Sequence, residues 1–447
     1  MTFYWRTIYR SYRIVSWLQY WTLRRYTTAG KGVVVGLLFT ALFGMDIENT
    51  VGYQAFVALF FVLTASFIGS RIFRAQFSVE RALPRFATAG LAFHYQVAVR
   101  NLNRTQQNNL ALLEDLEDPR PSFAEWRSFI RAENRKAKSL RIMRPAKRPF
   151  TIATIKEAVV PSLQPEGTAE ARVEIIPLRR GVLRFSGVTL TRPDPLGLMR
   201  AFTRVSAPQH VLILPKRYPL PPIALPGAME YQVGGVALAS SVGRSDEFVA
   251  LRDYRRGDPL RHIHWRSWAK TGKPIVKEFE DEFFVRHALV LDTFTDYSNI
   301  EIFEEAVSVA ASFANTIVTQ ESLLDLLFVG EQAYCFTAGR GVGHADQMLE
   351  ILASVRPCDD KPFANLEHLV LDQVSAVSGC VCVFVSWDDA RRNFVKKLKA
   401  LNLPVMVLVV VEPGQGKSFD AKTIGEAAGN FHVLELGKIE PGLAELR

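Results

Sequence analysis

The sequence predicts a multidomain protein with an N-terminal transmembrane helical hairpin, a β-sandwich-like module and a C-terminal α/β domain with a doubly wound sheet. Three observations support this fold class: two uncharged runs near the N-terminus, period-two alternation in the middle, and alternating strand and helix patterns in the last third. The 447 residues are enough for two or three domains of about 100–200 residues each. The net charge of +9 makes the protein basic. The positions of the basic residues along the chain decide which kind of partner this charge indicates.

Residues 1–27 form a basic, aromatic segment. It lacks an apolar core followed by a small-residue cleavage site, so a cleaved signal peptide is not expected. Arginines interleaved with Trp5, Trp17 and Trp21 are typical of a segment that lies in the interface of a lipid bilayer. The segment is therefore predicted to rest on the membrane surface.

Residues 28–75 contain two candidate transmembrane helices. Uncharged residues run from Gly32 to Met45 and from Val51 to Ser70, and the second run has the length needed to cross about 30 Å of hydrocarbon. The first run is shorter, so one span with a buried or re-entrant segment is the alternative. The hairpin is favoured.

The orientation of the hairpin follows from its flanking charges. Five arginines precede the first run and four lie between residues 71 and 85, whereas the intervening DIENT loop carries Asp46 and Glu48 and no Lys or Arg. The positive-inside rule places both flanks in the cytoplasm. The sequence thus predicts a multi-pass protein with two helices and with both termini cytoplasmic.

Residues 76–225 predict a β-sandwich-like module. Short runs such as FHYQVAVRN alternate polar and apolar residues and are broken by Gly, Pro and Asn, which is typical of antiparallel strands. A basic helical insertion is predicted near residues 122–144, with a solvated face as the default interpretation and lipid or RNA binding as the alternative. The Pro-rich stretch from Leu214 to Gly227 predicts a semi-rigid connector.

Residues 284–447 predict an α/β domain. RHALVLDT is a continuous apolar run ending with Asp292 and Thr293, as expected of a buried parallel strand whose carboxyl end faces a functional site. Further strands are predicted at residues 323–329 and 405–411, and a helix near residues 390–401. The four cysteines lie in the last quarter of the chain and are interpreted as reduced core residues. A metal pair at Cys380 and Cys382 is the less favoured alternative.

Two nucleotide-related interpretations are disfavoured. VVVEPGQGKSF contains a GKS tripeptide, but Val411 stands where a phosphate loop has its first glycine, so ATP binding is not expected. Between Arg244 and Glu282 nine Lys or Arg stand against eight Asp or Glu, and nine minus eight leaves +1. A surface that follows phosphates needs an unopposed positive field, so nucleic acid is not an expected partner.

Residues 226–283 contain a dense mixture of arginines, carboxylates and tryptophans. Arg side chains form bidentate pairs with Asp or Glu and stack on Trp rings, so the segment predicts a network that joins the β module to the α/β domain. His262 and His264 have no other His or Cys nearby in the sequence and are interpreted as surface or interface residues.

The stretch GRSDEFVALRDYRRGDPLRHIHWRSWAKTGKPIVKEFEDE resembles the signature of the domain-of-unknown-function-58 family. The candidate interaction residues that carry the resemblance are Glu247, Arg252, Tyr254, Gly257, Asp258, Arg261 and Trp265. The resemblance implies a von Willebrand factor A-like C-terminal domain, a membrane-anchored N-terminus in the bacterial inner membrane, and genes that accompany those of MoxR-type AAA+ ATPases and transglutaminase-like membrane proteins. No catalytic activity is implied.

The same resemblance implies a degenerate metal site. The von Willebrand factor A fold often binds a divalent cation through D-x-S-x-S after its first strand; in DTFTDYS the aspartate is Asp292, while Phe294 and Asp296 replace the serines. Asp388 in VSWDD stands where a second carboxylate falls. Mg²⁺ held by Asp292, Asp296 and Asp388 is the alternative, but a degraded site that serves as a protein-docking surface, with no cofactor, is favoured.

These observations predict a non-enzymatic, membrane-anchored adaptor. Its cytoplasmic domains are expected to work with a MoxR-type AAA+ ATPase in envelope maintenance or protein-complex assembly. The lipid bilayer and a transglutaminase-like membrane protein are further expected partners. The alternatives are a metal-dependent hydrolase that uses the degenerate site and a membrane scaffold without an ATPase.

Overall fold

The computed structural model describes most of the chain. The described residues are 2–43, 50–73, 75–118, 120–123, 126–127, 130, 152–221, 242–258, 260–283, 286–296, 299–319, 323–338, 342–416 and 430–446. The predicted insertion near residues 122–144 lies largely outside them. The chain divides into two compact units, Met1–Lys216 and Arg217–Arg447.

The first unit contains three N-terminal helices, α1 (Thr2–Arg25), α2 (Thr28–Phe43) and α3 (Thr50–Ile72). Among the described residues, one helix is long and apolar enough to cross a membrane, over Val51–Ile72. Helix α2 is apolar but has 16 residues, and at about 1.5 Å per residue it falls short of a ~30 Å hydrocarbon layer. Helices α2 and α3 pack against each other. The two-span topology stays a prediction.

Helix α1 contacts the β-sheet part of its unit. Tyr9 donates its hydroxyl to the carbonyl of Pro121 at 2.6 Å, and its ring centroid lies 5.4 Å from that of the buried Trp126. Arg24 pairs with Asp115 at 2.7 Å. Other large apolar side chains of α1 are exposed, among them Ile14, Trp17 and Leu18. Helix α1 therefore carries an exposed apolar surface, and its position on a membrane surface stays a prediction.

The rest of the first unit consists of two β-sheets. The first sheet has the order β1 (Phe77–Ala82), β3 (Phe93–Asn101), β7 (Thr168–Pro177), β5 (Ala153–Ile155). The second has the order β2 (Phe86–Thr88), β9 (Arg200–Leu214), β8 (Gly181–Pro193), β4 (Leu110–Leu116), β6 (Ala158–Val160). Neighbouring strands are antiparallel, except that β2 and β9 are parallel.

Period-two alternation builds the core between these sheets. On β3, Val97 and Val99 are fully buried, whereas Gln96 between two buried neighbours is exposed. Leu112 on β4 and Leu190 on β8 belong to the same buried cluster as the β3 valines. Because both sheets contribute one apolar face to one core, their arrangement is a sandwich.

A buried ion pair connects the two sheets. Arg81 on β1 donates from Nε and Nη2 to the carboxylate of Glu114 on β4, at 3.2 and 2.9 Å, and neither side chain has exposed surface. Tyr95 donates its hydroxyl to Glu114 at 2.7 Å. Arg81 also lies over the ring of Phe185, 5.1 Å from its centroid. Burial raises the pKa of Glu114, and Arg81 and Tyr95 oppose that rise.

The turn between β8 and β9 is fixed to the helices. Ser66 on α3 is fully buried and donates to the carboxylate of Asp194 at 2.8 Å. That carboxylate also accepts the backbone N–H of Met199 at 2.7 Å. On α2, a Cβ at Gly30 would lie 2.0 Å from the carbonyl oxygen of Leu198, so this approach requires glycine. The turn therefore holds both apolar helices against the sandwich.

The second unit contains a two-stranded antiparallel hairpin, β10 (Val242–Asp253) and β11 (Ile275–Phe283). Between the strands lie a 3-10 turn at Leu260–His262 and the short helix α4 (Trp265–Thr271). Helix α4 ends at Gly272, whose φ of +70° is the left-handed conformation that commonly terminates helices. The hairpin carries the signature segment.

The larger part of the second unit is a six-stranded sheet with helices. The strand order is β14 (Ala333–Ala338), β13 (Leu323–Val329), β12 (Arg286–Leu291), β15 (Gly379–Phe384), β16 (Val405–Val411), β17 (Phe431–Glu435). The helices are α5 (Ile300–Thr319), α6 (Val342–Ser354), α7 (Ala364–Leu371), α8 (Asp389–Ala400) and α9 (Ile439–Ala444). Neighbouring strands are parallel, except that β14 is antiparallel to β13.

The strand order places a switch point between β12 and β15. From β12 the chain continues to β13 on one side, and it later returns to β15 on the other side. In open α/β sheets, ligands bind at the carboxyl ends of the strands where the order reverses in this way. Asp292 follows β12 and Asp388 follows β15, so both stand at this edge.

Both faces of the sheet are covered. Ala288 and Val290 of β12 pack in one cluster with Phe394 of α8. Leu289, which alternates with them, is also fully buried, and α5 contacts the same strand. The strand is therefore buried on both faces, as its continuous apolar sequence predicts.

The cysteines lie mainly in this apolar interior. Cys380 and Cys382 on β15 are fully buried, with their sulfur atoms 3.4 Å apart. Cys358 is buried and Cys335 is exposed, and all four are free thiols. The buried pair packs in the apolar cluster that lies between the sheet and helices α7 and α8.

Candidate functional site

The candidate site lies at the switch point of the six-stranded sheet and is centred on Asp292. Its side chain is completely buried. Its carboxylate accepts hydrogen bonds from the backbone N–H groups of Phe294 at 3.0 Å and Val385 at 3.3 Å. A buried carboxylate needs a neighbouring cation or further hydrogen-bond donors. The remaining partner of Asp292 therefore determines what the site can do.

That partner is Arg391 on α8. Its Nε donates to Oδ2 of Asp292 at 3.0 Å, and its Nη2 donates to Oδ1 at 3.2 Å. Its Nη1 donates to Oδ2 of Asp388 at 2.6 Å. The guanidinium also lies over the ring of Phe363, 4.4 Å from its centroid. It therefore stands between two carboxylates with an aromatic ring against one face.

Charge and burial oppose each other at this site. Burial raises the pKa of Asp292, and the charge and hydrogen bonds of Arg391 counteract part of that rise. Burial by itself lowers the pKa of Arg391, but the carboxylates of Asp292 and Asp388 raise it above its ordinary value. Because arginine does not lose its proton in proteins, the guanidinium is a permanent cation between these carboxylates.

Asp388 connects the site to the start of α8. It is the N-cap of the helix and accepts the backbone N–H of Arg391 at 3.0 Å. A carboxylate at this position also interacts favourably with the helix dipole. The side chain of Asp388 is 52% exposed, whereas that of Asp292 is fully buried. The site thus presents one solvated carboxylate beside a buried ion pair.

Short contacts hold the neighbouring loops together. Thr293 donates its hydroxyl to the carbonyl of Val329 at the end of β13, and Cys358 donates its backbone N–H to the carbonyl of Thr293 at 2.8 Å. The Cys358 thiol donates to Asp360 at 3.2 Å, and burial raises the pKa of that thiol. Because the thiolate is the reactive form of cysteine, this environment disfavours a nucleophilic role.

Two of the three predicted metal residues converge. Asp292 and Asp388 meet at the guanidinium of Arg391, whereas Asp296 is exposed on the loop after β12. Within the described ranges, no group of three or more His, Cys, Asp or Glu side chains is placed to hold a metal ion. Sequence reasoning missed Arg391. Its position three residues after Asp388, in the first turn of a predicted helix, was a usable signal.

The signature hairpin holds a second arginine–carboxylate pair. Arg252 donates from Nη1 and Nη2 to the two oxygens of Asp258, each at 2.8 Å, and the backbone N–H of Arg255 donates to the same carboxylate at 2.7 Å. These contacts lower the pKa of Asp258 to about 2. Gly257 has a φ of +113°, which glycine adopts without strain. Glu247 lies on β10, and its side chain is outside the described part of the structure.

The other signature residues are spread over the connection between the two strands. Tyr254 donates its backbone N–H to the carbonyl of Pro274 at 2.9 Å, and Arg261 is exposed. Trp265 is 65% exposed and stacks on Trp268, with 5.2 Å between ring centroids. The sequence predicts Trp265 inside a charged network, whereas the structure places most of this side chain in solvent. Exposed aromatic side chains are favoured at protein interfaces.

These features define the class of protein. The second unit has a mostly parallel α/β sheet, with an arginine between two carboxylates at its switch point. The same chain also contains a hairpin with two stacked tryptophans and a candidate membrane span. Residues 250–415 match the family model described as "Protein of unknown function DUF58". The match confirms the predicted family resemblance over those residues.

Similar proteins add little about function. The chain is 26% identical over 211 residues to the "Uncharacterized protein YeaD" of Bacillus subtilis (strain 168), which covers 46% of this chain and 50% of that protein. The chain therefore matches about half the length of this relative.

Solved structures give weaker similarity. The AggA fimbrial subunit of Escherichia coli is 7% identical, with 32% of this chain and 96% of that chain covered and a TM-score of 0.17. A PapD-like domain of human CEP192 is 11% identical, with 30% and 85% covered and a TM-score of 0.15. These scores are too low to assign a fold.

Proposed function

We propose that this protein is a membrane-anchored, non-enzymatic adaptor whose second unit is a von Willebrand factor A-like docking domain. The observation that carries the proposal is Arg391, whose guanidinium occupies the space between Asp292 and Asp388. The Arg391 side chain belongs to the protein itself, and it supplies the positive charge that a bound divalent cation supplies in a metal site of this kind. The domain would then be permanently assembled, without depending on metal.

The contacts of Arg391 support this role. Two hydrogen bonds to Asp292 and one to Asp388 fix the guanidinium, and the ring of Phe363 covers it. A divalent cation would have to displace a charge-assisted, bidentate pair, and it would meet repulsion from any guanidinium that stayed nearby. The half-exposed Asp388 leaves a net negative charge at the rim, which suits a basic group on a docking partner.

The hairpin offers the second part of the docking surface. Trp265 is exposed and stacks on the half-buried Trp268, a few residues after the exposed Leu260 and Arg261. Tryptophan and arginine are the residues that most often dominate binding energy at interfaces. The family resemblance leads us to propose a MoxR-type AAA+ ATPase as the partner, in envelope maintenance or complex assembly.

The proposed location is the inner face of the bacterial cytoplasmic membrane. The apolar helix Val51–Ile72, the packing of α2 against it and the arginines on both flanks support a two-helix anchor with both termini in the cytoplasm.

Crosslinking and co-purification test the adaptor proposal. The full chain, solubilised in mild detergent, is expected to retain the AAA+ ATPase of its own cell, and Trp265→Ala is expected to reduce the retained amount at least fivefold. Tyr334→Ala, which alters another exposed aromatic residue of the same unit, serves as the matched control. Absence of any AAA+ ATPase after crosslinking of the intact chain would contradict the proposal.

The convergence of Asp292 and Asp388 also keeps a metal-dependent hydrolase as the second candidate. Mg²⁺ held by carboxylates could orient a water molecule, but only after Arg391 has moved away. Isothermal titration of the full chain with Mg²⁺ or Mn²⁺ distinguishes the two candidates. The adaptor proposal predicts no saturable binding, and saturable binding abolished by Asp292→Asn would favour the hydrolase.

A further inference from the structure

The hairpin of β10 and β11 separates charge along its length. Between Arg244 and Glu282 the basic residues exceed the acidic ones by only one. The register of the hairpin places Ala250 opposite Glu278 and Leu251 opposite Lys277. Residues 251–277 therefore lie together toward the segment that connects the two strands, and we call them the hairpin tip.

The hairpin tip is strongly basic, whereas the rest of the hairpin is acidic. Residues 251–277 contain eight Lys or Arg and two Asp, and eight minus two leaves +6. Residues 242–250 and 278–283 together contain one Arg and six Asp or Glu, and one minus six leaves −5. The small total charge is thus the sum of two regions of opposite sign, which the pairing of the strands brings to opposite ends of the hairpin.

Most of the positive charge of the hairpin tip is exposed. One of its two aspartates, Asp258, is paired with Arg252. Six further cations are exposed to solvent: Arg255, Arg256, Arg261, Arg266, Lys270 and Lys273. Among the described side chains, none of these six lies within ion-pairing distance of a carboxylate.

These exposed cations repel one another. Arg266 and Lys270 lie four residues apart on α4, a spacing at which like charges destabilise a helix. Arg255 and Arg256 are neighbours in the sequence. A surface with this much unopposed positive charge attracts a partner that carries negative charge.

Two large apolar side chains of the hairpin tip are also exposed. Leu260 is 68% exposed and Trp265 is 65% exposed. Four of the six exposed cations are arginines, and protein interfaces are enriched in Trp and Arg but depleted in Lys. Attraction to anionic lipid uses Lys and Arg alike, and contacts to nucleic-acid phosphates do not need an exposed leucine. The composition therefore favours an acidic protein surface that also offers an apolar contact.

We propose that the hairpin tip binds an acidic segment of the partner protein. Carboxylates of that segment would form bidentate pairs with the exposed arginines, and an apolar residue beside them would cover Leu260 and Trp265. The inference rests on the docking function proposed above and adds the chemistry of the surface that the hairpin recognises. Complementary charge gives an interface specificity and fast association, so the binding is expected to depend on salt.

The test measures binding of a fluorescein-labelled peptide, rich in glutamate and leucine, to the full chain purified in mild detergent. Fluorescence anisotropy reports the affinity. We expect the wild-type chain to bind this peptide at least fivefold more tightly than a peptide in which glutamine replaces each glutamate. Raising the salt concentration from about 50 to about 500 mM should weaken binding at least fivefold, because salt screens exposed charges.

A pair of variants locates the binding surface. Arg266→Glu/Lys270→Glu reverses two exposed charges of the hairpin tip and should weaken peptide binding at least fivefold. Lys396→Glu/Lys438→Glu makes the same change of charge at two exposed positions of the second unit outside the hairpin, and it should behave as wild type. The comparison of the two peptides uses the wild-type chain, so it holds even if a variant fails to fold.

Four outcomes would overturn the inference. Equal affinity for the two peptides removes the role of charge, and wild-type binding by Arg266→Glu/Lys270→Glu removes the site. Displacement of the peptide by phosphatidylglycerol added to the micelles would assign the hairpin tip to an anionic membrane surface. Tighter binding of a single-stranded oligonucleotide than of the peptide would assign it to nucleic acid.

The failure of this inference is distinguishable from the failure of the adaptor proposal. Peptide binding needs no ATPase, whereas the co-purification described above measures retention of the ATPase directly. Retention of the ATPase without a preference for the acidic peptide would contradict this inference alone. Binding of the acidic peptide without any retained ATPase would contradict the adaptor proposal alone.

Discussion

The two units each bury an arginine–carboxylate pair, and the two pairs differ in their surroundings. Arg81 and Glu114 lie between the sheets of the sandwich, where neither side chain reaches solvent. Arg391 and Asp292 lie at the carboxyl edge of a parallel sheet, where the second carboxylate, Asp388, is half exposed. The same chemistry therefore joins two layers in one unit and forms an accessible site in the other.

The difference arises from the partners that complete each guanidinium. Arg81 also donates to the backbone carbonyls of Ala207 at 2.5 Å and Gly187 at 2.6 Å, so its donors are used by fixed backbone. Arg391 also donates to one backbone carbonyl, that of Phe294 at 3.3 Å, but its Nη1 donates to the half-exposed side chain of Asp388. The comparison shows that the same kind of ion pair can be sealed inside one unit and lie beside an accessible carboxylate in the other.

The largest expected effect is the removal of Glu114. Glu114→Gln leaves Arg81 buried without its counter-charge, and breaking a buried pair from one side typically costs about 3–5 kcal/mol of unfolding free energy. Chemical denaturation of the full chain in detergent measures this loss. The double variant Arg81→Met/Glu114→Leu should recover most of it, because it leaves neither charge unpaired. Equal stability of the single variant and wild type would show that the pair is not a structural contact.

Arg391→Met should lower the free energy of unfolding by a smaller amount, about 3 kcal/mol at neutral pH. The loss is smaller because Asp292 keeps its two backbone hydrogen-bond donors and can bind a proton. The loss should depend on pH. The folded-state pKa of Asp292 is raised by burial, so the variant should be most stable below the unfolded pKa of about 4 and lose stability as pH rises through the folded pKa.

Melting curves between pH 4 and 8 measure this dependence. The double variant Asp292→Asn/Arg391→Met should flatten it, since no ionisable group is left at the buried position. If the stability of Arg391→Met did not change with pH, the uncompensated buried charge would not be that of Asp292.

Asp388→Ala removes the N-cap of α8 and the exposed partner of Arg391. Loss of an N-cap costs about 1 kcal/mol, so a decrease of that size is expected in thermal unfolding of the full chain. The neighbouring Asp389→Ala is the control, because Asp389 is 90% exposed and pairs only at the surface with Arg392. Surface pairs contribute about 0–1 kcal/mol, and equal losses for both variants would argue against the special position of Asp388.

The smallest effect is expected at the hairpin. The pKa of Asp258 is lowered to about 2 by Arg252, and Arg252→Met should raise it toward the ordinary value of about 4. Because the folded pKa is lowered, the pair stabilises the hairpin above that ordinary value, and the contribution is lost as pH falls through about 2. Carboxyl carbon chemical shifts followed during an NMR titration report the change, and an unshifted Asp258 would contradict the pairing.

Local patterns predicted much of the secondary structure. The strands predicted at residues 323–329 and 405–411 coincide with β13 and β16, because continuous apolar runs bounded by turns are typical of buried parallel strands. The apolar run from Val51 to Ser70 predicts the long helix α3 for a similarly local reason. The first apolar run forms a shorter helix, and its sequence alone does not decide whether it spans.

The candidate site was predicted in part. The position of Asp292 after an apolar strand predicts its place at the carboxyl edge of the sheet, since parallel strands end together there, and the structure has Asp292 directly after β12. The spacing of Arg391 three residues after Asp388 is a local signal for one half of the site. The sequence did not reveal the pairing of Arg391 with Asp292, because these two residues are 99 positions apart and no local periodicity links them. Trp265 shows the opposite case. The composition of the surrounding segment predicts that this side chain is packed, but the fold of the hairpin leaves it exposed.

The sequence by itself determined the element types, the apolar helix, the position of Asp292 and the family signature, because these depend on periodicity and on neighbouring residues. The tertiary structure alone decided which charges meet. It joined Arg81 to Glu114, placed Arg391 between two carboxylates, and paired β10 with β11 in the register that separates their charges. These contacts depend on packing between distant segments, and packing is a property of the whole fold rather than of any one stretch.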